Sequence, residues 1–344
     1  MSDEGPDLRP REAWRRYVDR KRPERTDHSM KSIYYRIRLF VEWCEDQGID
    51  RASELNGWHF EQYETERRSR DLAVMTLGKE MGTIRRFVEY LERIEAVDDG
   101  LSEKVPNVHI PKEARSSDKK LASEKALPLL DYYREHERGT RYHAFLELAW
   151  STAARLGALR GLDRRDFDAE EQLVEFKHRP ETDTPLKNKT DGERAVGLPP
   201  EVTEAVQDYI RGDRWDKRDE NGREPLLTSR QGRLGMNSVR RMSYQVTQPC
   251  SYGKCPHSHE IPTCDFREPN HESKCPSSRS PHQIRTGSIS WQLDCGVPIK
   301  VVAERANVAI KTLKNHYDKT EPRKRMERRR RPHLEKLSYD PDHE

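Results

Sequence analysis

No stretch of this sequence is long and apolar enough to cross a bilayer, and none reads as a secretory signal. Both absences lead to the expectation of a soluble, cytoplasmic chain that does not engage a membrane. Hydrophobic residues make up only 33% of the chain against 36% charged, so much of it must face water. Net charge is also small, at +3, and the whole-molecule balance therefore points to no particular partner. There is no glycine-rich phosphate loop of the Walker kind, which argues against a nucleotide triphosphate as cofactor. Cysteines number six, and in a cytosolic protein they are expected reduced rather than paired.

The charge that is present is unevenly placed. Between Lys319 and Arg331 lie eight basic residues and two acidic ones, a run that favours a polyanion partner or a solvated tail. The cysteines are uneven too. Cys250, Cys255, Cys264 and Cys275 crowd into one short segment, separated by four, eight and ten residues, with His257, His259 and His271 among them. Thiolates and imidazoles are the ligands zinc prefers, and a closed tetrahedral site suits a segment whose main hydrophobes are Tyr252, Ile261 and Phe266. The expectation is a structural zinc held by the four cysteines, with His257 or His271 as the alternative fourth ligand.

With 344 residues the chain has room for two domains. Ile33, Ile37, Phe40, Val41 and Cys44 recur at helical spacing before Gly48. A short helical segment follows around Trp58, Phe60 and Tyr63, and a third helix places Met81, Ile84, Val88 and Leu91 on one face. Residues 1–25 are charged, with Trp14 and Tyr17 as aromatic anchors. Pro106 and Pro111 then break the pattern. Beyond them come helical segments near Ser123–Glu137 and Thr140–Ser151, followed by strand-like runs at Leu173–Phe176 and Arg194–Leu198. Asp191-Gly192 between those runs reads as a hairpin turn. The sum is a mainly α protein with a small β-hairpin or sheet. Its expected organisation is a helical N-terminal domain over 1–105, a linker over 106–120, a second domain over 121–333 carrying the cysteine-rich insert 250–275, and a tail over 334–344.

Five residues of the second domain stand out. His282 and Arg285 are three apart in a segment that opens with Pro281, a spacing that sets imidazole and guanidinium on one helix face. Tyr317 follows about thirty residues later. Arg155 sits where one helix breaks and another begins, and Lys189 lies on the flank of the expected hairpin. An arginine to hold a phosphate, a histidine to move a proton and a tyrosine to attack phosphorus would make a phosphodiester-cleaving site. A polar helix face beside a packed tyrosine is the plainer alternative.

Taken in order, Arg155, Lys189, His282, Arg285 and Tyr317 resemble the tyrosine recombinase (phage integrase) family, over residues 25 to 320 or so. The chain most resembles divergent integrase-like members from halophilic archaea, which can carry a cysteine-rich insert before the His-x-x-Arg motif. In the family's Thr-Gly-Leu-Arg-x-Gly-Glu-Leu motif, Thr152, Arg155, Gly157 and Leu159 match while Ala153, Ala154 and Ala158 depart. Lys189 stands four residues before Glu193-Arg194, as the family's hairpin lysine does, with Lys187 as the fallback. Where the family has Leu-Gly-His, this chain has Ala306-Asn307-Val308, and Asn307 or His316 is expected to stand in for the absent histidine.

The resemblance implies a helical core-binding domain followed by a catalytic domain. It implies a site-specific recombinase acting on double-stranded DNA as a tetramer on paired sites, through a 3′-phosphotyrosyl intermediate and without a catalytic cofactor. In those roles Arg155 and Arg285 bind the phosphate, Lys189 is the general acid, His282 the base and Tyr317 the nucleophile. Two other activities share that fold: a topoisomerase-like nicking and rejoining enzyme, and a catalytically weak or inactive DNA-binding regulator.

Overall fold

Pro10 starts the first helix because its fixed φ suits the first turn and its missing N–H would be unpaired there in any case. The computed structural model describes residues 6–24, 27–111, 114, 118–317, 322–331 and 334. The chain divides into two compact units, residues 1–117 and 118–344, so the division falls inside the expected linker.

The first unit holds helices α1 (Pro10–Lys21), α2 (Asp27–Asp46), α3 (Gly57–Ser69) and α4 (Val74–Arg93). Helix α1 was not foreseen as an element. Its Ala13, Trp14, Tyr17 and Val18 are all buried, and Tyr17 packs its ring 5.4 Å from that of Phe87. The expected stripes of α2 and α4 supply the rest of this core: Ile37, Phe40, Val41 and Cys44 face Met81, Ile84, Val88 and Leu91. Packing continues past residue 105, since Val105 and Val108 belong to the same core.

One ionic group sits within this apolar unit. Glu80, 2% exposed, accepts from Tyr63 Oη at 2.6 Å and from Arg67 Nε and Nη2 at 2.7 and 3.0 Å. Burial, with the Glu80 carboxylate beside it, pushes the Tyr63 phenol up, so it stays a neutral donor. Removing one member of such a buried group strands the others. Glu80→Ala should therefore lower the unfolding free energy by about 3–5 kcal/mol in urea titration. A loss below about 1 kcal/mol would mean that water reaches Arg67 and replaces the carboxylate.

The second unit is built on α6 (Arg141–Thr152), in which every residue from His143 to Thr152 is buried. A helix buried on every side, its His143 and Glu147 included, must be enclosed by other elements. Around it stand α5 (Ser123–His136), α7 (Leu156–Gly161), α8 (Pro200–Arg211), α9 (Met236–Thr247) and α10 (Pro281–Asp294). A three-stranded antiparallel sheet comprises β1 (Phe167–Asp168), β2 (Leu173–Phe176) and β3 (Arg194–Gly197), in that order, with Phe176 opposite Arg194. A second hairpin joins β4 (Thr228–Ser229) to β5 (Gly232–Arg233). Helices α11 (Ile299–Ala306), α12 (Ile310–His316) and α13 (Pro322–Arg325) follow.

Helices α6 and α10 lie close because Gly287 has no side chain. A Cβ there would come 1.9 Å from the Leu121 carbonyl oxygen and 3.1 Å from the Trp150 ring. The Ser288 hydroxyl donates to the Trp150 carbonyl across the same contact. Beside it, Ala153, Ile289, Leu293, Val302, Ala306, Leu313 and Tyr317 form a small separate core.

One expectation differs from what is found. The β2–β3 connection is not a tight hairpin: it runs from residue 177 to 193, and Asp191-Gly192 falls in a 3-10 turn over Lys189–Gly192. An Asp-Gly pair makes a two-residue turn only when both strands run up to it. Here Arg179 and Thr184 bridge one another and Leu186 is buried, which folds the stretch back earlier. In the basic run, Arg329 pairs with Asp294 at 2.7 Å, while Arg328 reaches Asp294 and Glu124 at 3.5 and 3.3 Å. Those two guanidiniums are therefore engaged within their own unit. Of the expected tail 334–344 only residue 334 is described, and residues 112–113 and 115–117 of the expected linker also lie outside the described residues. Among the described residues no helix is long and apolar enough to cross a membrane.

Candidate active site

Helix α6 ends at Thr152, and Ala153 turns the chain through the left-handed region at φ 50°. The family resemblance has glycine at this position. An L-residue takes up this conformation at a cost of roughly 1–2 kcal/mol, and the Ala153 methyl is fully buried in the small core. The turn delivers Arg155 to the N-terminal cap of α7, the helix junction that the sequence suggested.

Arg285 comes in from α10. It is 2% exposed, and its Nη1 donates to the carbonyls of Ala153 and Ala306 at 2.5 and 2.7 Å. Its Nε and Nη2 are buried with no hydrogen-bond partner among the described residues. Arg155 Nη1 donates to the Asn307 carbonyl at 2.8 Å. Burial, then the nearby Arg285, holds the Arg155 guanidinium below its ordinary range, while Tyr317 pulls the other way.

A third guanidinium joins them. Arg194, on β3, stands 4.2 Å over the Phe176 ring and donates to the Arg305 and Gly192 carbonyls at 2.7 and 3.0 Å. Burial, followed by repulsion from Arg285 and Arg155, pushes it down to about 10. No carboxylate figures among the groups acting on Arg194 or Arg155. Among the described residues none of the three guanidiniums forms an ion pair with a carboxylate, and their mutual repulsion would be relieved by an entering anion. Sequence reasoning placed Arg194 in a motif but gave it no role. The available signal was a charged residue at an inward strand position opposite Phe176.

Tyr317 closes the group. It caps α12 and is 7% exposed, with its ring centroid 5.6 Å from the His282 ring and 5.6 Å from Arg285 Cζ. The three-residue spacing of His282 and Arg285 therefore does bring both side chains to one tyrosine. Their helix begins with Pro281 behind a reciprocal cap, in which Ser280 Oγ accepts from the Gln283 N–H and Gln283 Oε1 accepts from the Ser280 N–H. His282 is exposed in that first turn.

Lys189 is not drawn into this group. It sits at φ 53° on the 177–193 loop with its side chain exposed, and Lys187 is exposed as well. Asn307 proves to be a link rather than a free donor. At φ 49° it takes the left-handed position that follows α11, a conformation asparagine tolerates well. Its Oδ1 accepts from Asn188 Nδ2 at 2.8 Å, and its Nδ2 donates to the Gly192 carbonyl at 3.4 Å. The amide expected to replace the missing histidine therefore ties α11 to the Lys189 loop. The His316 side chain lies outside the described residues.

Asn307→Gly should keep the turn and delete only this tie, since glycine adopts positive φ freely. The expected result is faster amide exchange across 186–193 with a stability loss of about 1 kcal/mol. Unaltered exchange there would mean that Leu186 alone holds the loop.

The cysteine-rich segment connects α9 to α10 through 3-10 turns at Pro249–Ser251, Ile261–Thr263, Asp265–Arg267 and Glu272–Lys274. Cys250, Cys255, Cys264 and Cys275 are free thiols, and with His257 and His259 they line one cavity of about 10 Å³. His271 does not line it. Among the described residues no three such side chains are arranged as a ready metal cage.

No family model matches the sequence. The chain is 25% identical over 187 residues to the tyrosine recombinase XerC of Pseudomonas entomophila, a match covering 54% of this chain and 58% of that protein. It thus spans about half the length of the curated relatives it matches. The N-terminal domain of a phage integrase/site-specific recombinase from Haloarcula marismortui is 45% identical, covering 31% of this chain and 99% of that domain with a TM-score of 0.29. The Tn1549 transposon integrase, solved in complex with a circular intermediate DNA, is 14% identical and has a TM-score of 0.63, covering 96% of this chain and all of the other. The fold is that of the two-domain tyrosine recombinases. In sequence the chain is similar to tyrosine recombinases over about half its length, and in fold it matches them.

Proposed function

We propose that this protein is a site-specific DNA recombinase that cleaves and rejoins DNA through a 3′-phosphotyrosyl intermediate. The observation that carries this reading is Arg285, 2% exposed beside the Tyr317 ring, whose Nε and Nη2 have no hydrogen-bond partner among the described residues. A buried donor pair of this kind calls for an anion with two oxygens, and a phosphodiester supplies them.

In the mechanism, Arg285 and Arg155 donate to the non-bridging oxygens of the scissile phosphate, and Arg194 adds positive potential from behind. Fixed charges of this kind carry most of the catalysis in phosphoryl transfer. Tyr317 Oη attacks phosphorus as its proton passes to His282, and the bond from phosphorus to the 5′-oxygen breaks. Lys189 gives a proton to the leaving oxygen, which requires its loop to approach once DNA is bound. Asn307 positions that loop. The phosphodiester energy is kept in the tyrosyl ester, so a second 5′-hydroxyl reverses the step without a nucleotide being consumed.

The partners that follow are double-stranded DNA and three further copies of the chain on two paired duplexes. The setting is that of a mobile element's integrase acting on cytoplasmic DNA. The test is a denaturing gel with nicked duplexes tiled across the DNA flanking the protein's own gene. A covalent protein–DNA adduct is expected. Tight binding without any adduct would replace this reading with a DNA-binding regulator. Adducts accompanied by plasmid relaxation but no strand exchange would replace it with a nicking and rejoining enzyme.

A further inference from the structure

We propose that residues 250–275 form a structural zinc site ligated by Cys250, Cys255, Cys264 and Cys275, and that this site clamps the connection feeding the helix of His282 and Arg285. The proposal is independent of the recombination reading, because metal content can be measured whether or not DNA is cleaved.

Four of the six cysteines of the chain face one cavity of about 10 Å³, although they come from separate turns of the segment. That volume is roughly one water-sized sphere, which suits a single ion and little else. The segment has no regular element longer than a 3-10 turn. A stretch of this length inside a compact domain needs something other than a hydrophobic core to hold it. A cross-link through four thiolates meets that need, and it leaves no open coordination position, so the role is structural rather than catalytic.

The choice of ligands follows from what the histidines do. His257 Nε2 is engaged with Ser277 Oγ at 2.9 Å, and His271 Nδ1 meets the Asp265 carbonyl at 3.2 Å, away from the cavity. His259 stacks edge-on against Phe266. Among the described residues no other side chain hydrogen-bonds the four thiols, which form no disulfide. The four thiols line the cavity but are not already gathered as a metal-binding group among the described residues, so binding asks them to rearrange.

The segment is fastened to the helices that position the candidate active site. Glu272, buried, accepts from Arg241 and Gln245 of α9. The Ser278 hydroxyl donates to the Glu272 and Cys275 carbonyls at 2.7 and 3.0 Å. The Arg279 N–H then donates to Thr247 Oγ1 at 2.7 Å, immediately before Ser280 caps α10. Cys275 is therefore the last of the four cysteines before the Ser278–Arg279 ties and the turn that presents His282. A zinc holding Cys275 to Cys250, Cys255 and Cys264 would close the two ends of the segment against α9.

The experiment uses the full-length protein, purified with reductant and no added metal, then dialysed. Mass spectrometry should find about one zinc per chain. Cys264→Ser should lose it and Cys295→Ser, outside the segment, should keep it. Should Cys264→Ser fail to fold, cobalt exchanged into the wild-type protein gives the same answer through thiolate-to-cobalt charge-transfer absorption. Chelation should speed amide exchange across 250–286 while the α6 core stays protected. Zinc at background in the wild-type protein, or disulfides among the four cysteines in the non-reduced protein, would overturn the site. Unchanged exchange at 280–286 after chelation would overturn the clamp.

Discussion

Tyr317→Phe is expected to abolish the covalent protein–DNA adduct while leaving DNA affinity within about twofold. The substitution keeps the ring, and with it the packing of a side chain only 7% exposed against His282 and Arg285. It removes one atom, the phenolic oxygen, which has no hydrogen bond among the described residues, so stability should change by less than about 1 kcal/mol. The loss of rate should be on the order of 10⁴-fold or more, as is usual when a nucleophile is deleted and nothing replaces it. Gel-shift titration and the denaturing gel, run on the same nicked duplexes, separate the two effects. An adduct that survives the substitution would place the nucleophile elsewhere and sink the assignment of Tyr317.

Arg285→Lys carries the second large effect. Lysine keeps the charge but has a single nitrogen, which cannot donate to the Ala153 and Ala306 carbonyls and also present a fork to phosphate. Adduct formation should fall by about 10²–10³-fold, the usual cost of losing one preorganised donor to a developing charge. A second readout tests the physical premise. If Arg285, Arg155 and Arg194 repel one another in the free protein, then sulfate or DNA must raise the wild-type melting temperature by ordinary ligand linkage. Arg285→Lys should blunt that rise. Equal stabilisation of both proteins by sulfate would show that the anion binds elsewhere, and the reading of the three guanidiniums as a phosphate site would fall.

Much of this was legible in the sequence because the relevant physics is local. The stripes of α2 and α4 follow from 3.6-residue periodicity, and the His282–Arg285 spacing follows from the same geometry. The Thr152–Leu159 segment announced a helix junction, and Arg155 occupies it. What escaped was set by contacts between residues far apart in the chain. Helix α1 was obscured because charged residues flank a short stripe whose partners, Tyr34, Phe87 and Tyr90, lie further along the chain. The 177–193 loop folds back on the buried Leu186, so its Asp-Gly pair never reaches a hairpin. Asn307 looked like a spare hydrogen-bond donor until Asn188 and Gly192 were found to occupy its amide.

The sequence alone determined which residue types were available for phosphoryl transfer and in what order, together with the helical class of both units. Only the tertiary structure decided that Arg155, Arg194, Arg285 and Tyr317 share one site. The reason is the close approach of α6 and α10 at Gly287, where a single added carbon would come 3.1 Å from the Trp150 ring of α6. That approach sets the Ala153 carbonyl against Arg285, and no pattern within either helix encodes it.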